Sequence, residues 1–231
     1  TVLEQLDEID GVDIIGIVVN EKGAARAIAT GKVKTLGYPC SISETFLRRN
    51  QNQSPDENQI TLKRIKEMAE GSGLDIVAYI SMAFGNPYDD PWSETQVVDA
   101  ARTIFSMGIR AISLADTVGS ADPECISRVV AEVLRECAQG EIGIHMHSTR
   151  AAAAAKVLAA FDAGCRRFDS AMGGLGGCPF AQDEMVGNIP TEEVVRVLEQ
   201  RGVSLPIQLG QALTWNRAIS DEFSAGDALA G

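Results

Sequence analysis

Aromatic side chains, cysteine pairs and positive charge are all scarce in this chain. Two Trp, three Tyr and seven Phe among 231 residues leave aliphatic side chains and alanine to fill the core. A net charge of −12 argues against nucleic-acid binding, because neutralising phosphates needs a basic surface. The cysteines are odd in number and contain no C-x-x-C pair: Cys40, Cys125, Cys137, Cys165 and Cys178. This usage argues against a disulfide framework or a structural zinc site and favours a reducing compartment.

Long apolar runs and targeting segments are also missing from the sequence. No run approaches the ~20 apolar residues that span a bilayer. No basic segment followed by an apolar one opens the chain, so there is no sign of secretion. We therefore expect a cytoplasmic protein that has no membrane partner.

What the chain does contain is an alternation of short apolar strands and amphipathic helices. We predict strands at 12–19, 33–38, 75–83, 111–117, 142–148 and 166–174. Helices are predicted at 21–31, 58–73, 93–108, 122–138, 150–165 and 190–202, with one or two more in 203–231. Such alternation predicts a parallel sheet of βα units. No dinucleotide fingerprint or phosphate loop follows any strand.

The spacing of the strands indicates the architecture. A repeat of roughly 30 residues is typical of a (β/α)8 TIM barrel, in which the chemistry lies at the carboxyl ends of the strands. Six strands are visible where a barrel has eight. We therefore interpret residues 1–231 as one TIM-barrel catalytic domain that is incomplete at its N-terminal side.

The two histidines of the chain stand two residues apart in the fifth predicted strand. Successive side chains of a strand point to opposite faces, so His145 and His147 share a face. Two imidazoles on one face near a strand end make half of a metal site. The alternative is a pair of buried histidines with ordinary hydrogen-bond partners. We favour metal binding because both histidines of the chain are in this pattern.

Three further positions could carry chemistry. Asp116 ends the fourth strand, where it either caps the turn or acts as an acid or base at the barrel mouth. Cys178 lies in the glycine-rich stretch GLGGCPFAQDEMVGN (174–188), and is either a reactive thiol or a small packed side chain. Asn188 closes that stretch, either as a turn residue or as an amide oxygen for a hard cation. Position alone leaves each pair of alternatives open.

Several motifs together resemble those of 3-hydroxy-3-methylglutaryl-CoA lyase, in the DRE-TIM metallolyase superfamily. They are GGLGGCPF followed by GN and PTEE, HMH in strand five, SLADT in strand four, AYISMAFGNPYDD after strand three, and SETFLRRNQN. The likeness runs over essentially the whole chain. It implies cleavage of a 3-hydroxyacyl-CoA to acetyl-CoA and acetoacetate, with an acyl-CoA as the partner and a possible homodimer.

The resemblance also implies roles for individual residues. The ligands of a divalent cation, Mg2+ or Mn2+, would be His145, His147 and Asn188. The catalytic residues would be Asp116 as an acid/base group and Cys178 as the group that handles a proton at the acetyl-CoA carbon. The residues that line or support the site would be Tyr79, Ser113, Thr117 and Glu192. The glycines would let the cysteine loop close over the site and exclude water.

The sequence departs from the family pattern in several places. The family's first strand ends in Arg-Asp, and no such strand is found, so we expect the natural protein to be longer by about two βα units. Ser148 replaces an Asp, Asn86 a Cys and Ala115 a Gly, and the gap from Cys178 to Asn188 is one residue longer. A different acyl-CoA substrate, a related aldolase or synthase acting on 2-oxo acids, and a non-catalytic relative stay open.

Overall fold

The computed structural model describes residues 3–6, 11–176 and 186–227. It contains a six-stranded parallel sheet in the order β1-β2-β3-β4-β5-β6, so every strand pairs with its neighbour in sequence. The strands are β1 (Ile15–Ile17), β2 (Thr35–Ser41), β3 (Asp75–Ser81), β4 (Ala111–Asp116), β5 (Glu141–Met146) and β6 (Arg167–Asp169). This is the topology of six consecutive βα units of a TIM barrel, and it confirms the predicted fold class.

Helices follow the strands as the periodicity predicted. They are α1 (Glu21–Ala29), α2 (Glu44–Gln51), α3 (Pro55–Gly71), α4 (Glu94–Ser106), α5 (Pro123–Glu136), α6 (Arg150–Asp162), α7 (Thr191–Gln200) and α8 (Leu209–Asp227). Helix α2 falls wholly in a stretch, 41–58, that the sequence left as a polar connection, and α3 begins three residues before its predicted start. Helix α2 forms there because Ser43 caps its first turn by accepting from the Phe46 amide, and because Phe46 and Leu47 are buried. None of the described helices is long and apolar enough to cross a membrane.

The side chains of α5 show how the helices cover the sheet. Asp122 accepts hydrogen bonds from the amides of Glu124 and Cys125, which starts the helix at Pro123 as predicted. The predicted apolar stripe is buried against the sheet, with Leu134 partly buried beside it: Ile126, Val129, Val130 and Val133. A stripe of this spacing fixes the rotation of the helix on the sheet.

Alternation along β4 separates the core from the barrel interior. Ile112 and Leu114 lie in the hydrophobic core that the helices share with the sheet. Ser113 and Ala115 therefore point to the opposite face, towards the interior. At the β1 edge of the sheet, the side chain of Ile17 is 61% exposed.

Candidate functional site

A pocket of about 560 Å3 lies at the carboxyl ends of the strands. Its polar lining includes side chains from β3, β5, β6 and the segment that precedes α7: Tyr79, His145, His147, Asp169 and Asn188. Its apolar lining includes Ile15, Ile17, Val19 and Phe46. Loops at this end of a barrel are where such folds place their chemistry.

His147 is a buried, hydrogen-bonded side chain of the pocket. It is 5% exposed, and its Nδ1 lies 3.1 Å from the carbonyl oxygen of Val186. A carbonyl can only accept, so Nδ1 carries the proton and Nε2 presents its lone pair. Burial lowers the pKa of His147 below its ordinary value, which favours the neutral imidazole that binds metals.

His145 in β5 and His147 directly after it lie side by side, as the two-residue spacing predicted. The two ring centroids are 5.4 Å apart in an edge-to-face arrangement, and the Tyr79 ring lies 6.0 Å from His145. The Nδ1 atom of His145 is 3.6 Å from Oδ2 of Asp169, which in turn accepts a 3.2 Å hydrogen bond from the Ser113 hydroxyl. Burial raises the pKa of Tyr79 to about 12, so its hydroxyl stays protonated at neutral pH.

Asn188 is brought to the histidines by backbone pairing. It forms an isolated antiparallel bridge with His147, and its side-chain nitrogen donates to the Leu175 carbonyl at 2.9 Å. With the amide nitrogen committed to this bond, Oδ1 is the atom that can bind a cation. His145, His147 and Asn188 are thus close together, although 43 positions separate the first from the last in sequence.

The glycines of this region let two backbone segments meet around Asn188. Gly174 and Gly176 have φ values of 71° and 79°, a region that side chains rarely adopt. A Cβ on Gly187 would lie 2.7 Å from the Gly174 carbonyl oxygen, and one on Gly176 would lie 3.1 Å from Nδ2 of Asn188. Close backbone approach, rather than loop freedom alone, therefore requires glycine here.

The donors brought together suit a divalent cation. His145, His147 and Asn188 line the same pocket, and two imidazoles with an amide oxygen are a set that leaves coordination positions open for water or substrate oxygens. Within the described residues, no group of three or more His, Cys, Asp or Glu side chains is placed to hold a metal ion. The donor set that the described part of the chain offers is therefore His145, His147 and Asn188.

Asp116 does not line this pocket. Its side chain is 2% exposed, and its Oδ2 accepts from Nζ of Lys156 at 2.6 Å and from the amide of Ala121 at 3.2 Å. In β4 it alternates with Ala115, which does line the pocket, so its carboxylate points to the helix side. An acid/base role for Asp116 stays a prediction.

Of the remaining predicted residues, Thr117 lines the pocket and Glu192 holds a neighbouring segment. The Thr117 hydroxyl accepts from the Met82 amide at 3.0 Å, where the backbone has a φ of 60°. Glu192 accepts from the Gly173 amide at 3.0 Å and so fixes the start of the glycine-rich segment. Cys178 lies outside the described residues, and its predicted role stays a prediction.

Two residues of the site region escaped the sequence analysis. Asp169 lines the pocket beside His145, and its position at the end of a strand was the available signal. Lys156 is 3% exposed although it is charged. It falls on the helix face defined by Ala153, Val157 and Ala160, so a charged residue within an apolar stripe was the signal that marked it.

Comparison with known proteins gives a consistent result. The model of the HMGL-like family matches residues 5–219. Hydroxymethylglutaryl-CoA lyase YngG of Bacillus subtilis is 33% identical over 221 residues, which are 96% of this chain and 73% of that protein. The mitochondrial hydroxymethylglutaryl-CoA lyase of Bos taurus is 32% identical over 92% of this chain and 65% of its own length.

A solved structure shares the architecture. An HMG-CoA lyase from Acinetobacter baumannii, in complex with coenzyme A and 3-methylmalate, has a TM-score of 0.83 and 33% identity. The match covers 90% of this chain and 68% of that one. The chain thus spans between 65% and 73% of the length of these three proteins.

Proposed function

Because the chain belongs to the HMGL-like family, we propose that it is a divalent-cation-dependent carbon–carbon lyase acting on 3-hydroxy-3-methylglutaryl-CoA. The proposed products are acetyl-CoA and acetoacetate. The observation that carries the proposal is the convergence of His145, His147 and Asn188 on one pocket. A structural relative that binds coenzyme A supports an acyl-CoA substrate.

The reaction needs two proton movements and one broken bond. The tertiary hydroxyl passes its proton to a general base and becomes the ketone of acetoacetate. The electrons of the bond between C2 and C3 pass to C2, which becomes the enolate of the acetyl thioester and then takes up a proton. A bound Mg2+ or Mn2+ ion would polarise the substrate oxygens and ease loss of the hydroxyl proton.

The residues of the chain would orient the substrate and supply the second proton. His147 presents Nε2 because Val186 holds its Nδ1, and Asn188 presents Oδ1 because Leu175 holds its amide nitrogen. The apolar wall that includes Phe46 would limit water near the enolate. We assign the protonation of C2 to Sγ of Cys178, on the family resemblance.

The cellular location and the oligomeric state are separate parts of the proposal. We propose a cytoplasmic location, which is supported by four free, buried thiols among the described residues, a state that reducing compartments preserve. A homodimer remains a prediction.

Acetyl-CoA release from 3-hydroxy-3-methylglutaryl-CoA tests the proposal. The purified protein is stripped with EDTA, and turnover is measured before and after addition of Mg2+ or Mn2+. We expect cation-dependent turnover in the wild type. We expect His147→Ala to lose both turnover and Mn2+ binding. We expect Cys178→Ser to keep Mn2+ binding while its turnover falls by about 10^2- to 10^4-fold.

Two other outcomes would point elsewhere. Turnover of pyruvate or another 2-oxo acid without thioester cleavage would favour the related aldol chemistry. A folded protein that binds no Mn2+, as measured by electron paramagnetic resonance, would favour a non-catalytic relative.

A further inference from the structure

A buried lysine contacts the backbone of His147. Lys156 belongs to α6 and is 3% exposed. Its ammonium group donates to Oδ2 of Asp116 at 2.6 Å, to the carbonyl of Gly119 at 2.8 Å and to the carbonyl of His147 at 3.1 Å. An ammonium group has three protons, and each has an acceptor here.

These bonds join three segments at the carboxyl end of the sheet. Asp116 ends β4, Gly119 lies in the loop that follows, and His147 directly follows β5. Taking two charges out of water is costly unless geometry and hydrogen bonding compensate for it. A well-packed apolar pair of similar volume is often at least as stabilising as a buried ion pair. Stability alone therefore does not account for the pair of Lys156 and Asp116.

The backbone of His147 is held on both sides by this pair of residues. Its amide donates to the Asp116 carbonyl at 3.2 Å, and its carbonyl accepts from Lys156. The ring is held separately, at Nδ1, by the Val186 carbonyl. Gly119 packs closely against both partners, because a Cβ there would lie 3.1 Å from the Val186 side chain and 3.2 Å from the His147 carbonyl oxygen.

We propose that Lys156 and Asp116 form a positioning pair, which fixes His147 in the orientation that presents Nε2 to the cation. The proposal rests on the proposed function for the identity of the ligand, but the orientation of the ring can be measured without any cation. Asp116 then acts through His147 and not on the substrate, in keeping with its carboxylate pointing away from the pocket.

The first measurement is the tautomer of the histidines in the metal-free protein, by two-dimensional 1H–15N NMR at one fixed pH. The wild type is expected to show the Nδ1-protonated form for His147. Lys156→Met, which removes the charge and keeps the length of the stem, is expected to give a mixture of tautomers. A Lys156→Met protein that keeps the wild-type tautomer would overturn the proposal. A failure to cleave 3-hydroxy-3-methylglutaryl-CoA would leave this result unaffected.

The second measurement is Mn2+ affinity by electron paramagnetic resonance. Lys156→Met and Asp116→Asn are each expected to weaken binding by about 10- to 100-fold, the range for lost outer-shell partners of a metal ligand. The double variant is expected to lose no more than the worse single variant, because the two residues act as one unit. Arg128→Met, which removes a positive charge from an exposed ion pair between α5 and α4, is the control and should bind Mn2+ like the wild type.

These measurements distinguish a positioning role of Asp116 from an acid/base role. A positioning role predicts that Asp116→Asn lowers Mn2+ affinity as Lys156→Met does. If instead Asp116→Asn keeps wild-type affinity while kcat falls by 10^3-fold or more, Asp116 is the acid/base group and the proposal is wrong. If Lys156→Met fails to fold, the double variant decides, because it leaves no unpaired buried charge. Wild-type affinity in a folded double variant would then overturn the proposal.

Discussion

Replacing Gly187 with alanine is expected to displace Asn188 from the cation site. The new Cβ would lie 2.7 Å from the Gly174 carbonyl oxygen, a distance at which something must shift. That oxygen is a backbone atom and cannot rotate away as a side chain would. Gly187 also accepts from the Ser148 amide at 3.0 Å, and Asn188 donates to the Gly176 carbonyl at 3.2 Å, so a shift passes directly to Asn188.

The magnitude follows from the cost of inserting a methyl group into a packed contact. Such insertions cost about 1–3 kcal/mol of the free energy of unfolding. For a protein of this size, each kcal/mol lowers the melting temperature by about 2–4 °C. We also expect Mn2+ affinity to fall about tenfold because Asn188 is displaced. This corresponds to a loss of about 1.4 kcal/mol of binding free energy.

The assay combines thermal unfolding with Mn2+ titration, and Gly71→Ala is the matched control. A Cβ on Gly71, at the end of α3, meets nothing within 4 Å. That variant should gain about 0.5–1 kcal/mol of stability from the lower entropy of its unfolded chain. If Gly187→Ala melts and binds Mn2+ as the wild type does, the close approach of the two segments does not position Asn188.

Three further predictions concern the cap of α5, the carboxylate beside His145 and the buried thiols. Asp122→Ala should cost about 1 kcal/mol in chemical unfolding, because the side chain accepts from two amides of the first turn of α5; an unchanged midpoint would contradict this. Asp169→Asn should weaken Mn2+ binding by about tenfold or more, since Asp169 lies beside Nδ1 of His145; unchanged affinity would remove it from the site. Burial raises the pKa of the Cys40 thiol to about 12, so roughly one molecule in ten thousand is ionised there at pH 8. A thiol reagent should therefore leave four cysteines unmodified until the protein is denatured, and labelling of any of them in the native state would contradict the packing: Cys40, Cys125, Cys137 and Cys165.

Local periodicity was enough to predict the sheet and the shared face of the histidines. A strand alternates every two residues, so His145 and His147 had to point the same way wherever the strand lay. The same alternation shows why Asp116 could not share the sheet face of Ser113 and Thr117. Those two residues are four apart and share a face, whereas Asp116 has the opposite parity.

Contacts between distant segments could not be predicted from the sequence. Helix α2 depends on the burial of Phe46 and Leu47 under neighbouring segments, which a polar stretch does not reveal. The hydrogen bond from Ser113 to Asp169 joins residues 56 positions apart. The position of Asn188 depends on a bridge to His147 that only the folded chain creates.

Product analysis tests the central claim most directly. The purified protein is incubated with 3-hydroxy-3-methylglutaryl-CoA, with and without Mg2+, and the acyl-CoA and carboxylate products are quantified by mass spectrometry. Our account predicts equal amounts of acetyl-CoA and acetoacetate, formed only when the cation is present. Intact substrate in the presence of Mg2+, from a folded protein, would contradict it.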